Sequence, residues 1–331
     1  MCASKGERGL WGVILMSLLS TAPGVHAQGC EPWVAKIISV QGPVVVERSG
    51  AHARAVGQDD PVCPGDRVRV GALGRAAVQL ADDAETLIRL DEGTTLIFPV
   101  PEPEKSLLLK LIEGVLHVLS RTPQALTIET PLASAGIEGT EFVLGVSEAA
   151  AELWVFEGRV RYSNPQGQLQ VASGEGALAR PGQAPVRRVV VKPREAVEWA
   201  LYYPPLVDLR PESYPVALRA TLAAYRANDL PGAFAALARV PAADRDGRYL
   251  LLRAGLLMMV GRVTKAEADL AEAERADPKS GGAAALRSVI ALVRDQKDDA
   301  LRLAETGAGL DRNSPLPQAA LSYAHQGRFE I

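Results

Sequence analysis

At 331 residues, with 47% hydrophobic and 23% charged side chains, the chain is long enough for two ordinary domains and has the composition of a globular protein. A net charge of −3 supplies no broad basic field to gather nucleic acid or an anionic membrane surface, so no nucleic-acid partner is expected. Four histidines in the whole chain leave little material for metal or general-base chemistry.

Residues 1–27 read as a cleavable signal peptide. Lys5 and Arg8 precede an apolar run from Leu10 to Leu19, and Pro23-Gly24 then leads to the small residues Val25 and Ala27. That run falls well short of the ~20 apolar residues that cross a bilayer, so the mature chain is expected to have no transmembrane span and to be exported to the periplasm or envelope of a Gram-negative-type bacterium. Removal of the segment takes Cys2 and leaves Cys30 and Cys63. A disulfide between them would close a loop and stabilise by roughly 3 to 4 kcal/mol on the chain-entropy estimate. Two separate buried thiols, or a lipid on Cys30 because Ala27-Gln28-Gly29-Cys30 partly resembles a bacterial lipobox, are the alternatives.

Residues 28–185 are expected to form an all-β domain, because short alternating or β-branched runs follow one another between glycine-containing turns. The expected strands are Val34 to Val40, Val44 to Glu47, Arg67 to Val70, Ala76 to Leu80, Thr86 to Leu90, Thr94 to Phe98, Leu107 to Ile112, Val115 to Leu119, Leu126 to Glu129, Phe142 to Val146, Leu153 to Phe156 and Val160 to Tyr162. Residues 186–212 form the linker. Pro193 opens a short helix there with Val197, Trp199 and Leu201, Tyr202-Tyr203-Pro204-Pro205 ends it, and the aromatic groups dock the two domains together.

Residues 213–331 repeat with a 34-residue frame. Within Gly247 to Ser280, Ala254 stands in a first helix, Gly261 in the turn, Ala266, Leu270 and Ala273 in a second helix, and Asp277-Pro278 at the exit. One frame later come Ser288, Ala300, Asp311 and Ser314, and after another Ser322; a weaker unit from Ser213 holds Leu222, Tyr225, Ala233 and Leu237. These spacings resemble tetratricopeptide repeats, in which small residues let paired helices approach and each hairpin buries its apolar face on the next. The resemblance implies an α-helical array with a concave surface for a protein partner. Arg248, Tyr249, Leu252 and Arg287 are the expected exposed contact positions, and the last repeat is expected to be truncated.

The β-rich segment carries Gly65-Asp66-Arg67-Val68-Arg69-Val70-Gly71, Gly74-Arg75-Ala76, Leu87-Ile88-Arg89-Leu90, Glu113-Gly114, Gly139-Thr140-Glu141-Phe142 and Glu157-Gly158-Arg159 in that order. The ordered set resembles the FecR domain, the periplasmic part of iron-citrate-type regulators and of many larger exported proteins. That resemblance implies a β-solenoid-like or sandwich-like fold. Gly65, Gly139 and Gly158 are expected at positive φ in turns, with Thr140 and Phe142 alternating with Glu141 across a strand; a ligand surface at Glu138 or Glu141 is the alternative. FecR-type regulators place a cytoplasmic anti-sigma segment and a membrane helix ahead of the domain, where this chain has its signal sequence.

Chemistry is sparse elsewhere. His117 is expected to face solvent, and His52 and His325 lie far from it. Asp59-Asp60, Asp82-Asp83 and Asp298-Asp299 lack the one-three-five spacing of a calcium loop. Gly174-Glu175-Gly176-Ala177-Leu178-Ala179 matches a dinucleotide fingerprint by letter, but Pro181-Gly182 forbids the helix it needs, so a hairpin turn is expected. Ser134 lacks a nucleophile elbow, and Arg187, Arg188 and Lys192 read as the outer face of a strand. No cofactor, metal or catalytic residue is expected. The reading is a non-enzymatic envelope scaffold with a β platform and a protein-binding helical array, partnering an envelope polymer or outer-membrane protein. A FecR-type signalling component and a carbohydrate-binding or enzyme-accessory module are the alternatives.

Overall fold

The computed structural model describes residues 30–48, 52–81, 86–101, 107–120, 125–189, 198–201 and 203–328, without the side chains of residues 125, 138, 139 and 189. The expected signal peptide lies outside the described residues, as do Asp82-Asp83 and Lys192. Among the described residues fifteen strands form one connected sheet. They are β1 (Ala35–Gln41), β2 (Val44–Glu47), β3 (Arg54–Ala55), β4 (Pro61–Val62), β5 (Arg67–Val70), β6 (Arg75–Leu80), β7 (Leu87–Leu90), β8 (Thr95–Ile97), β9 (Leu107–Leu119), β10 (Ala125–Glu129), β11 (Ser134–Val146), β12 (Ala151–Asn164), β13 (Gly167–Ala172), β14 (Glu175–Ala179) and β15 (Val186–Val189). The last strand carries the sheet past the expected boundary at 185. Strands alternate buried and exposed residues as a period of two requires; β5 reads exposed, buried, exposed, buried, with Val68 and Val70 inside.

Three long strands let the sheet turn round a single core. β9 pairs with β8 and β10 through its first half and with β7 and β11 through its second. The change falls at Gly114, whose φ of 91° no other residue adopts comfortably. β12 does the same at Gly158, φ 80°, pairing with β14 before the bend and with β13 after it. β11 shifts register against β12 between Glu138 and Glu141. The two expected strand pairs flanking Gly114 and Gly158 are therefore single bent strands, because a left-handed glycine redirects a strand without ending its hydrogen bonding. Leu109, Leu111, Leu116, Phe142, Leu153 and Val160 meet in the core that the bends enclose.

The second part is helical: α1 (Arg219–Arg226), α2 (Leu230–Ala238), α3 (Gly247–Met259), α4 (Val263–Ala276), α5 (Gly281–Val293), α6 (Lys297–Leu310) and α7 (Pro315–Gly327). Successive odd helices from α3 onward begin at Gly247, Gly281 and Pro315, reproducing the 34-residue frame. Ala254, Ala266, Ser288 and Ala300 are buried where neighbouring helices meet, as their small size allows. Ser322, expected to repeat the position of Ala254, is exposed, since among the described residues no helix follows α7 to cover it. Asp246 caps α3 by accepting from the amides of Arg248 and Tyr249, and the side chain of Ser280 accepts from Gly282 in α5. No helix among the described residues is long and apolar enough to cross a membrane.

Candidate protein-interaction site

The groove beside α3 and α5 is already partly filled by a segment that precedes the helices. Residues 203–210 have no regular secondary structure, yet Tyr203 and Leu206 are buried in one cluster with Ala254, Leu257 and Met258 of α3 and Leu286, Val289 and Ile290 of α5. Pro204 and Pro205 each fix φ near −65°, and the half-buried Pro204 brings no N–H that needs a partner, while Pro205 is exposed. Gly255 supplies the room, because a Cβ there would stand 3.1 Å from the Leu206 carbonyl oxygen and 3.3 Å from Val207 Cγ2. A glycine inside a helix costs about 1 kcal/mol against alanine, and here it is offset by the close passage of another backbone. Of the aromatic groups expected to dock the domains, Tyr203 packs into the helical core, while Trp199 stands at the junction and its carbonyl oxygen accepts from Arg75 of β6.

Beyond Val207 the groove opens. A cleft of 390 Å³ is lined by Asp208, Arg210, Arg248, Leu251, Ser280 and Ser314 among others, and a neighbouring one of 570 Å³ shares Arg248, Leu251 and Ser280 and adds Lys279. Arg248 is exposed there. Asp208 binds Arg210 through both carboxylate oxygens; burial opposes its ionisation, but these hydrogen bonds hold its carboxyl below the usual range.

Of the expected contact positions, Tyr249 and Leu252 do not face a partner, being 3% and 2% exposed. α3 is covered on several faces at once, and Tyr249 is engaged internally: Arg253 donates to its hydroxyl at 3.0 Å while binding Asp269 at 2.6 and 2.7 Å. Arg287 pairs with Glu274 at 3.1 Å and lines a different cleft with Glu267, Arg294 and Arg302, so the structure does not bring it to Arg248.

The junction between sheet and helices is tied by polar contacts beside a cleft of 320 Å³ lined by Ile38, Arg75, Leu87, Trp199 and Leu201 among others. Arg75 of β6 donates to the carbonyl oxygens of Trp199, Leu201 and Met259, and Gln41 donates to Met259 O at 3.0 Å. Together they satisfy a carbonyl at the C-terminal end of α3 that no helical amide can reach. Arg262, just before α4, holds Asp91 with contacts of 3.0 and 3.2 Å and Glu92 at 2.6 Å. Burial pushes the Asp91 carboxyl above its ordinary value even with Arg262 beside it.

The remaining motif residues shape the β domain. Gly65 turns with φ 87°, and the fully buried Asp66 accepts from the Cys63 amide at 2.8 Å and from Arg48 at 2.8 and 3.0 Å. Cys63 is disulfide-bonded to Cys30, Cα to Cα 5.8 Å, which leaves Cys30 no thiol for a lipid. Thr140 and Phe142 are buried; Gly139 stands in the irregular part of β11. His117 is 2% exposed rather than facing solvent, with Nε2 2.9 Å from Glu141 and its ring edge-on to Phe156. Desolvation lowers its pKa, against the opposing pull of Glu141. Gly174 makes the expected hairpin turn and a strand follows it, while Arg187 and Arg188 pair with Glu175 and Glu152. Among the described residues no group of three or more His, Cys, Asp or Glu is placed to hold a metal ion.

Residues 66–161 match the family model described as FecR protein. No curated protein matches the chain at a significant level. Two crystal structures described as a "putative anti-sigma factor" from Parabacteroides distasonis align with it. One, at 16% identity, covers 42% of this chain and 68% of the other with a TM-score of 0.37; the second, at 15%, covers 44% and 69% with 0.36. The Arabidopsis OM64 TPR domain aligns at 17% identity over 35% of this chain and 96% of its own, TM-score 0.29. By the family match, the part of the chain bent at Gly114 and Gly158 and docked through Arg75 is a FecR-type domain, and it is followed by an array of helical hairpins.

Proposed function

We propose that the chain is a non-catalytic, exported envelope protein in which the FecR-type domain is a rigid β platform and the helical array, read as tetratricopeptide repeats, binds a partner protein. The observation that carries this reading is the 34-residue succession of odd helices, whose N-terminal ends share an open, charged cleft at Arg248. Repeated hairpins of this kind create extended binding surfaces because each helix pair is covered only by its neighbours. Export is supported by the Lys5 to Ala27 segment and by a disulfide, which persists in oxidising compartments.

A second reading makes the chain a component of FecR-type envelope signalling, and it is the family match at residues 66–161 that favours it. Affinity capture by the full chain from envelope fractions separates the two. The binding reading predicts one dominant partner whose recovery falls at least tenfold with Arg248→Glu, a change at an exposed side chain with little effect on stability. Equal recovery by the variant would move the partner's contact to the β domain and favour signalling.

A further inference from the structure

The cleft of 320 Å³ at the junction carries charge that nothing beside it balances. Its floor is a row across β1, β6 and β7 on the face turned away from the core: Ser39 pairs with Ala77, and Ala77 with Arg89. Two short side chains keep that floor low, and a guanidinium stands at its end. Leu87, Leu201 and the buried Trp199 give it apolar sides. The described residues that line it include two guanidiniums, Arg75 and Arg89, and no carboxylate. Arg75 is committed to the fold, since its Nε and both terminal nitrogens donate to Gln41 Oε1 and to the carbonyl oxygens of Trp199, Leu201 and Met259. It lends positive charge but no spare N–H. Arg89 is half-buried, and among the described residues it makes no hydrogen bond or ion pair. Glu141, two strands away, is bound to His117. The Trp199 indole Nε1 is buried with no hydrogen-bond partner among the described residues, so packing alone holds that ring at the cleft.

We propose that this cleft is a binding site for a small monocarboxylate with an apolar body, the carboxylate paired with Arg89 and the body laid over Ala77 against Trp199. A half-buried cation between apolar walls favours an anion beside it, and the planar guanidinium fork matches a carboxylate. A phosphate dianion finds no second donor cation, because the N–H groups of Arg75 are taken. Apolar clefts with a few convergent polar groups at the meeting of two domains are the usual setting for small ligands. Touching both the sheet and residues 199–201, the ligand binds the docked arrangement and stabilises it. The site is separate from the partner cleft at Arg248 and does not depend on it.

The test is octanoate titrated into the intact chain by isothermal titration calorimetry, with tryptophan fluorescence as a second readout. Saturable single-site binding is expected, with a change in emission that Trp199→Phe abolishes although Trp33 and Trp154 remain. Arg89→Gln should weaken binding about tenfold or more, and neutral octanamide should bind the wild type about tenfold more weakly than octanoate. Ala77→Leu, which raises the floor from the outer face, should abolish binding, and inorganic phosphate should not compete. Should Ala77→Leu lose its native circular dichroism, Ser39→Leu at the exposed position paired with it takes its place. The proposal is overturned by an absence of saturable octanoate binding up to about millimolar concentration. Equal binding of octanamide, competition by phosphate, or unchanged binding in the folded floor variant would overturn it as well.

Discussion

Gly114 combines two demands that can be separated experimentally. Its φ is 91°, and a Cβ would lie 2.4 Å from Thr94 Cα, whereas Gly174 has φ 80° with nothing within 4 Å. Strain alone costs about 1–2 kcal/mol, and forcing backbone apart adds about 1–3. Gly114→Ala is therefore expected to lose about 2–5 kcal/mol in urea denaturation and Gly174→Ala about 1–2, with the larger loss at Gly114; equal losses would mean that packing at the bend is unimportant. His117 carries a second prediction. Because burial holds its folded-state pKa below the unfolded value of about 6.5, its contribution is fully present above that pH and is lost as pH falls toward the folded value, by at most about 1.4 kcal/mol per pH unit. The wild-type minus His117→Gln stability difference should decline below pH 6.5; a flat difference would contradict a neutral buried imidazole. The alternation around Leu116 and Val118 was enough to assign His117 to the opposite face, but not to show that Glu141 and Phe156 cover it there.

Turns of the helical array show how one position answers to different surroundings. Gly261, φ 73°, and Asp295, φ 60°, stand one 34-residue frame apart, both left-handed. A Cβ on Gly261 would meet the Trp199 backbone at 2.5 Å, while Asp295 is exposed. Gly261→Ala should cost about 3 kcal/mol or more in thermal unfolding, and Asp295→Gly should be neutral or gain up to about 1 kcal/mol by relieving strain; similar effects at both sites would contradict the difference in surroundings. The helical frame was legible because close helix packing needs small residues at fixed spacing, and Ala254, Ala266 and Ala300 declare it. The β elements were legible except at Gly114 and Gly158, where a sequence pattern cannot tell a bend from a turn, at the two-residue strands β3 and β4, in the first half of β11, and at β13 to β15, whose apolar alternation is weak. Tyr249 and Leu252 were misplaced because α3 is apolar nearly all round, so its periodicity names no free face.

Across the whole molecule the sheet and the array meet through Arg75 and Gln41 on the Met259 carbonyl and Arg262 on Asp91, the pair Gln41 and Met259 standing 218 positions apart in the chain. Nothing local in the sequence pairs them. Arg262→Ala would leave Asp91 buried and unpaired, at a cost of about 3 kcal/mol. Calorimetry is then expected to resolve two transitions in the variant against one in the wild type, and a single unshifted transition would show the junction to be weak. The occupied groove was equally hidden, since Tyr203 and Leu206 have no helical or strand period; Gly255 inside an apolar helix was the available signal. The measurement that bears most directly on partner binding by the array is photo-crosslinking in cells, with the reactive residue at Arg248 or, as a β-domain control, at the exposed Arg159. The account predicts one protein adduct from position 248 and none from 159. Adducts from 159 with none from 248 would contradict it.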